Sequence, residues 1–203
     1  MLLEKIKRRA FDLDDWLFEK TSGLDLGGIV PHAALISEHT DAIFHATAYY
    51  AVWCRNLREL LAEAQKTGLV FKNFVDLGSG KGKACFFAAK KMSFQRVIGI
   101  EFSRPIFEVA QVNNSRFSRP EVSFVEGDAA TYVLPQATNL VFMFNPFDHV
   151  ILEKFISVNL EHFKKHHSVI AYANDVHKAT LGAFGFQTIF RNQTRKISLH
   201  QLP

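Results

Sequence analysis

From Phe71 onward, apolar runs of four to eight residues alternate with stretches long enough for helices, and this rhythm limits the chain more than any other feature. The runs are Phe71–Leu77, Arg96–Glu101, Glu121–Glu126, Asn139–Asn145 and Ser168–Ala173. Strand and helix in alternation is the pattern of a parallel sheet, because parallel neighbours need a crossover between them. Several runs are apolar at almost every position, as strands covered on both faces are. The rhythm ends differently. Gly185–Arg191 and Lys196–Leu202 are joined by only Asn192–Arg195. So short a connection holds no crossover helix, so these two strands pair antiparallel.

Upstream, Leu2 to about Lys20 reads as a helix with Ile6, Phe11, Leu13, Trp16 and Leu17 as its apolar positions. A loop through Gly23, Gly27, Gly28 and Pro31 leads to a longer helix from about Asp41 to Lys66. Thr40 is its expected N-cap and Gly68 its stop. His45, Tyr49 and Tyr50 fall on this helix, packing or lining a lid. Residues 1–68 therefore read as a helical N-terminal extension and 69–203 as the sheet domain. A chain of 203 residues has room for one such core. Its 20 phenylalanines mostly sit in apolar runs and fill that core.

Composition excludes more than it selects. Met1–Phe11 has no apolar h-region, so no signal peptide is expected. No stretch approaches the ~20 apolar residues of a membrane span. Cys54 and Cys85 lie far apart in predicted helices among apolar neighbours. They read as buried free thiols, which fits the reducing cytoplasm. No metal site is expected, because His149, His166, His167 and His177 read as surface or helix-end residues without metal spacing. The net charge, 24 − 20 = +4, lacks the dense basic stripe of a dedicated nucleic-acid binder. Lys81, Lys83, Lys90, Lys91 and Arg96 read as a solvated face.

Four local signals carry chemistry, each at the carboxyl end of a successive strand, where open α/β sheets bind ligands. The first is Asp76-Leu77-Gly78-Ser79-Gly80-Lys81-Gly82. Glycines let the backbone turn tightly and approach a ligand. A dinucleotide fingerprint would put its last small residue at position 83, but that position holds Lys83. A carboxylate at Asp76 would repel a pyrophosphate and would suit a ligand bearing an ammonium and a sulfonium. The second is Glu101, which can accept from both hydroxyls of a ribose. The third is Gly127-Asp128-Ala129, where a carboxylate can accept from an adenine amino group. The fourth is Asn145-Pro146-Phe147-Asp148.

In this order the four resemble the motifs of class I S-adenosylmethionine-dependent methyltransferases, over about Phe71 to Leu202. The resemblance implies a Rossmann-like α/β fold with helices on both faces of a seven-stranded, mostly parallel sheet. Its strand order is 3-2-1-4-5-7-6, with one antiparallel strand. It implies that Asp76, Gly78 and Gly80 hold the methionine part of S-adenosylmethionine, with Ser79 and Gly82 also binding the cofactor. Glu101 would bind the ribose, Phe102 flank the adenine, and Asp128 with Ala129 meet its edge. Asn145 would lie nearest the transferred methyl, with Pro146 and Phe147 completing the catalytic motif. Asn73–Lys83 followed by Gly99-Ile100-Glu101 is also similar to the non-SET lysine methyltransferases, whose helical lid residues 1–68 would supply. Asn145-Pro146-Phe147 resembles the Asn-Pro-Pro-Tyr/Phe of amino methyltransferases, without the second proline. A protein amine is thus favoured as acceptor over a nucleic acid or a small molecule, and a catalytically inactive adaptor is the remaining alternative. An amine must arrive neutral. Asn145 and the Pro146 backbone are its expected partners. Asp148 is the nearest acidic base candidate, though a carboxylate that opens the next helix is equally explained by the helix dipole.

Overall fold

The structure, a computed structural model, describes residues 13–38 and 40–203 apart from the side chains of Thr40 and Asp41. Seven strands form one sheet: β3 (Asn73–Leu77), β4 (Arg96–Glu101), β5 (Val122–Glu126), β6 (Asn139–Phe144), β7 (Val169–Ala173), β8 (Gln187–Asn192) and β9 (Ile197–Gln201). Their order is β5-β4-β3-β6-β7-β9-β8. All run parallel except β9, which is antiparallel to both neighbours. Counted from β3, this is the expected 3-2-1-4-5-7-6 order.

Strand period divides the core in two. Phe74, Val97, Phe124, Leu140, Phe142 and Val169 face one side. There they meet α3 (Cys54–Lys66), α4 (Lys83–Lys91) and α5 (Arg104–Phe117). Val75, Leu77, Ile98, Val141, Met143 and Ile170 face the other side, against α6 (His149–His166) and α7 (Lys178–Ala183). Alternate residues point to opposite faces, so continuous apolar runs are what a doubly covered sheet requires. Each fully buried Phe contributes roughly 1.5–3 kcal/mol relative to exposure.

The N-terminal segment departs from expectation. Helix α1 covers 13–22, and the rest of the anticipated helix, with Ile6 and Phe11, lies outside the described residues. Leu13, Trp16 and Leu17 are about half exposed. The inward face of α1 is instead Asp15, Phe18 and Glu19, which meet Lys83 and Phe87. The long helix from Asp41 to Lys66 does not form. It is broken into α2 (Thr40–His45), a two-residue strand β2 (Tyr49–Tyr50) and α3. Strand β2 pairs antiparallel with β1 (Ile29–Val30), and Ala46 forms a bridge to Phe147. The cause is tertiary. Thr47 N donates to Pro146 O, a bond that a helix would direct to its own fourth-preceding carbonyl. Helix α3 then restarts with Cys54 N donating to Asp15 Oδ1, so a remote carboxylate does the work of an N-cap. The stop at Gly68 holds, with φ of +74°. The Thr40 side chain, expected as an N-cap, lies outside the described part. Among the described residues, no helix is long and apolar enough to cross a membrane.

Candidate active site

The carboxyl ends of β3, β4, β5 and β6 converge on one pocket. Of the residues expected to bind a cofactor, Asp76, Gly78, Ser79, Glu101, Phe102, Asp128 and Ala129 line it. Pro146 and Phe147 line it as well. Gly80, Gly82 and Asn145 are not among its lining residues. Gly82 opens α4 with φ of +93°.

Asp76 is only 2% exposed, and its one bond comes from the Cys85 thiol at 3.7 Å. Burial pushes its carboxyl up to about 8, with the nearby Glu101 charge adding to the effect. Glu101 is also buried. Its Oε2 accepts from Gly80 N at 2.8 Å and its Oε1 from Ser103 N at 2.9 Å. Burial raises it to about 7 against these amides. Each carboxylate oxygen has a second lone pair for a ligand. Ser79 Oγ is buried without a partner. Asp128 Oδ1 caps the short turn Ala129–Thr131 through Ala130 N at 2.8 Å.

Two under-solvated carboxyls and an orphaned hydroxyl around one cavity are costly unless a ligand completes them. A ligand cationic at Asp76 and bearing hydroxyls at Glu101 would complete them. The ammonium, sulfonium and ribose of S-adenosylmethionine fit this donor set.

The fourth motif is more constrained than the sequence suggested. Asn145 has φ of +44°, a left-handed conformation that asparagine tolerates better than most residues. Its Oδ1 accepts from the Tyr172 hydroxyl at 3.2 Å. Its carbonyl accepts from Thr47 Oγ1 at 2.7 Å, and Pro146 O accepts from Thr47 N at 2.9 Å. The backbone groups expected to hold an amine are thus engaged by residue 47.

Sequence reasoning placed Tyr49 and Tyr50 as packing or lining a lid, but drew the segment that roofs the pocket as a helix. Leu35, Ala42 and every residue from Ala46 to Val52 line it. The Tyr49 ring lies so close to Gly80 that a Cβ there would sit 2.1 Å from it. The Tyr49 hydroxyl donates to Leu26 O at 2.8 Å. Lys81 Nζ reaches Asp25 Oδ1 and Gly27 O, both at 2.8 Å. Asn113 bonds Asp25 and the Lys81 carbonyl. Segment 24–52 is therefore fastened to the glycine loop at one end and to the Asn145 motif at the other. Lys83 is likewise no solvated residue. It is 4% exposed and pairs with Asp15 at 2.7 Å and Glu19 at 3.3 Å. The local signal was balanced: Thr47, Tyr49, Tyr50 and Val52 disfavour a helix, but Ala46, Ala48 and Ala51 favour one.

His149, His166, His167 and His177 occupy helix ends, as expected. His45 does not follow the anticipated helix. It ends α2, with Nδ1 2.8 Å from Asp148 Oδ2. Cys54 and Cys85 are free and buried, and no metal-holding cluster occurs among the described residues.

A sequence profile of the methyltransferase-domain family matches residues 74–176, just over half of the 203. The chain belongs to this methyltransferase family. Its sheet order and motif positions are those of the class I enzymes, which take S-adenosylmethionine as methyl donor. Solved methyltransferases share the fold. One is an S-adenosylmethionine-dependent methyltransferase from Clostridium acetobutylicum ATCC 824. It has a TM-score of 0.56 and 11% identity, over 74% of this chain and 92% of that one. The glycopeptide N-methyltransferase MtfA, complexed with S-adenosyl-L-methionine, gives 0.55 and 14%, over 73% and 94%. The ribosomal protein L11 methylase from Lactobacillus delbrueckii subsp. bulgaricus gives 0.53 and 13%, over 73% and 80%. No curated protein sequence matches the chain significantly.

Proposed function

We propose that this methyltransferase transfers its methyl group to an amine of a protein, of the lysine type. The carrying observation is the division of the pocket. Its carboxyls, Asp76, Glu101 and Asp128, come from the ends of β3, β4 and the turn after β5, whereas Ala42, Ala46, Ala48, Phe144, Phe147 and Ile151 add apolar lining. An apolar surround lowers the pKa of an entering ammonium and so favours the nucleophilic free base. The same fold serves protein and peptidic acceptors, as the names of the L11 methylase and the glycopeptide N-methyltransferase indicate for those two proteins.

In this reading Asp76 and Ser79 take the cationic methionine end, with Gly78, Gly80 and Gly82 shaping the loop beneath it. Glu101 takes the ribose, Phe102 flanks the adenine, and Asp128 with Ala129 meets its edge. Asn145, Pro146 and Phe147 border the methyl. Residues 1–68 act as the extension that carries the lid over domain 69–203. The two buried thiols accord with a cytoplasmic setting.

The test is incubation of the purified chain with tritiated S-adenosylmethionine and fractionated cell extract. Label should enter protein and appear as methyl-lysine after acid hydrolysis. Label confined to nucleic acid or to solvent-extractable metabolites would replace the acceptor class. Absence of label from every fraction would make the chain a binding adaptor.

A further inference from the structure

We propose that His45, oriented by Asp148, is the base that takes the acceptor's proton, an assignment that rests on the amine reading above. The observation is a reciprocal clamp between two chain segments 103 positions apart. Asp148 N donates to His45 O at 2.9 Å, while His45 Nδ1 lies 2.8 Å from Asp148 Oδ2. The second carboxylate oxygen is fixed by Val150 N at 2.9 Å, the N-cap of α6. A carboxylate held at both oxygens fixes the imidazole ring and selects the tautomer with hydrogen on Nδ1, which leaves Nε2 with its lone pair.

The pair sits at the pocket's rim. Ala46 and Thr47, which follow His45, line the cavity, and so do Pro146 and Phe147, which precede Asp148. Side-chain exposures of 29% and 34% keep the pair in contact with solvent, to which the proton can pass. The competing candidates are otherwise engaged. Asn145 O and Pro146 O accept from Thr47, and Asn145 Oδ1 accepts from Tyr172. Asp148 itself is held below the ordinary carboxylate range by its bonds from His45 and Val150, which makes it a poor base and a good ring holder. The titratable group that meets His45 is Asp148, and His32 Nε2 meets Ile43 O two positions before it.

The chemistry balances. The acceptor ammonium gives one proton to His45 Nε2 and becomes a neutral amine. The amine nitrogen then bonds the methyl carbon as the carbon–sulfur bond breaks, with that electron pair staying on sulfur. The imidazolium returns its proton to solvent, and the methylated amine leaves as an ammonium. A positioned base of this kind contributes ~10²–10⁴-fold to rate.

The experiment compares wild type, His45→Gln and Asp148→Asn in the full chain. One arm is single-turnover methyl transfer to extract protein between pH 5.5 and 8.5. The other is nitrogen NMR of the histidine ring, with S-adenosylhomocysteine affinity as the check on the pocket. The proposal expects His45→Gln to transfer at least 100-fold more slowly and to lose the wild-type pH inflection, with affinity unchanged. It expects the wild-type His45 ring to carry its hydrogen on Nδ1, toward Asp148, and Asp148→Asn to scramble the tautomer. Wild-type rate and inflection in His45→Gln would overturn the assignment. If wild type labels no protein, the acceptor reading fails, and the ring's state still decides the base. A neutral ring with its hydrogen on Nε2 would overturn it.

Discussion

Lowering the pH should weaken cofactor binding through Asp76. In the unliganded pocket its carboxyl titrates at about 8 because burial disfavours the charge. A ligand ammonium needs that charge. Half of the Asp76 carboxyls are ionised at pH 8 and about one in a hundred at pH 6, a loss of about fifty-fold in affinity, or ~2.3 kcal/mol. Glu101, held at about 7, adds up to about tenfold if its ionised form binds. The assay is calorimetric titration with S-adenosylhomocysteine at pH 6, 7 and 8, on wild type and Asp76→Asn. The variant should bind weakly at pH 8 and keep only the shallower Glu101 slope. Stability of the free protein should move the opposite way. The native state keeps a proton that the unfolded chain loses above its ordinary carboxylate value, so Asp76 lowers stability as pH rises from about 4 to 8. A wild-type affinity that changes less than about threefold between pH 6 and 8 would refute the reasoning.

Gly82→Ala should destabilise the fold by roughly 2–5 kcal/mol, since a Cβ there adds left-handed strain to overpacking. That Cβ would lie 2.5 Å from Phe124 and 2.7 Å from Phe86, at φ of +93°. Urea unfolding reads the change, and a midpoint shift worth under about 0.5 kcal/mol would contradict so close an approach of the two rings. Burial holds His162 and His200 down at about 4. The unfolded chain takes up these protons near the ordinary histidine value, so this pair lowers stability as pH falls from about 6.5 to 4. Replacing both by Gln should flatten the acid limb of the stability profile relative to wild type. An unchanged limb would mean that other groups set it.

The sheet and its motifs were legible because they are local. A strand buried on both faces writes itself as an unbroken apolar run, as in Leu140–Phe144. The short Asn192–Arg195 link settles the direction of the last pair. The carboxyl-end rule then places Asp76, Glu101 and Asp128 around one cavity, where they stand. The roof was not legible, since nothing local decides between helix and strap for Ala46–Val52. The decisive bonds come from Pro146 and Phe147, about 100 positions later. Lys83 reads as a surface lysine until Asp15 and Glu19 are brought to it. The His45–Asp148 pair has no spacing signature, because its members meet only through that same bridge.

The central claim is that S-adenosylmethionine binds where these four strand ends meet, with Glu101 as its ribose acceptor. Titration of S-adenosylhomocysteine into wild type and Glu101→Ala, with circular dichroism to verify the fold, tests it most directly. Hydrogen bonds to a charged group are worth about 1.5–3 kcal/mol, so the account predicts saturable wild-type binding and at least ~10-fold weaker binding by the folded variant. Equal affinity in the two proteins, or no binding by wild type, would contradict it.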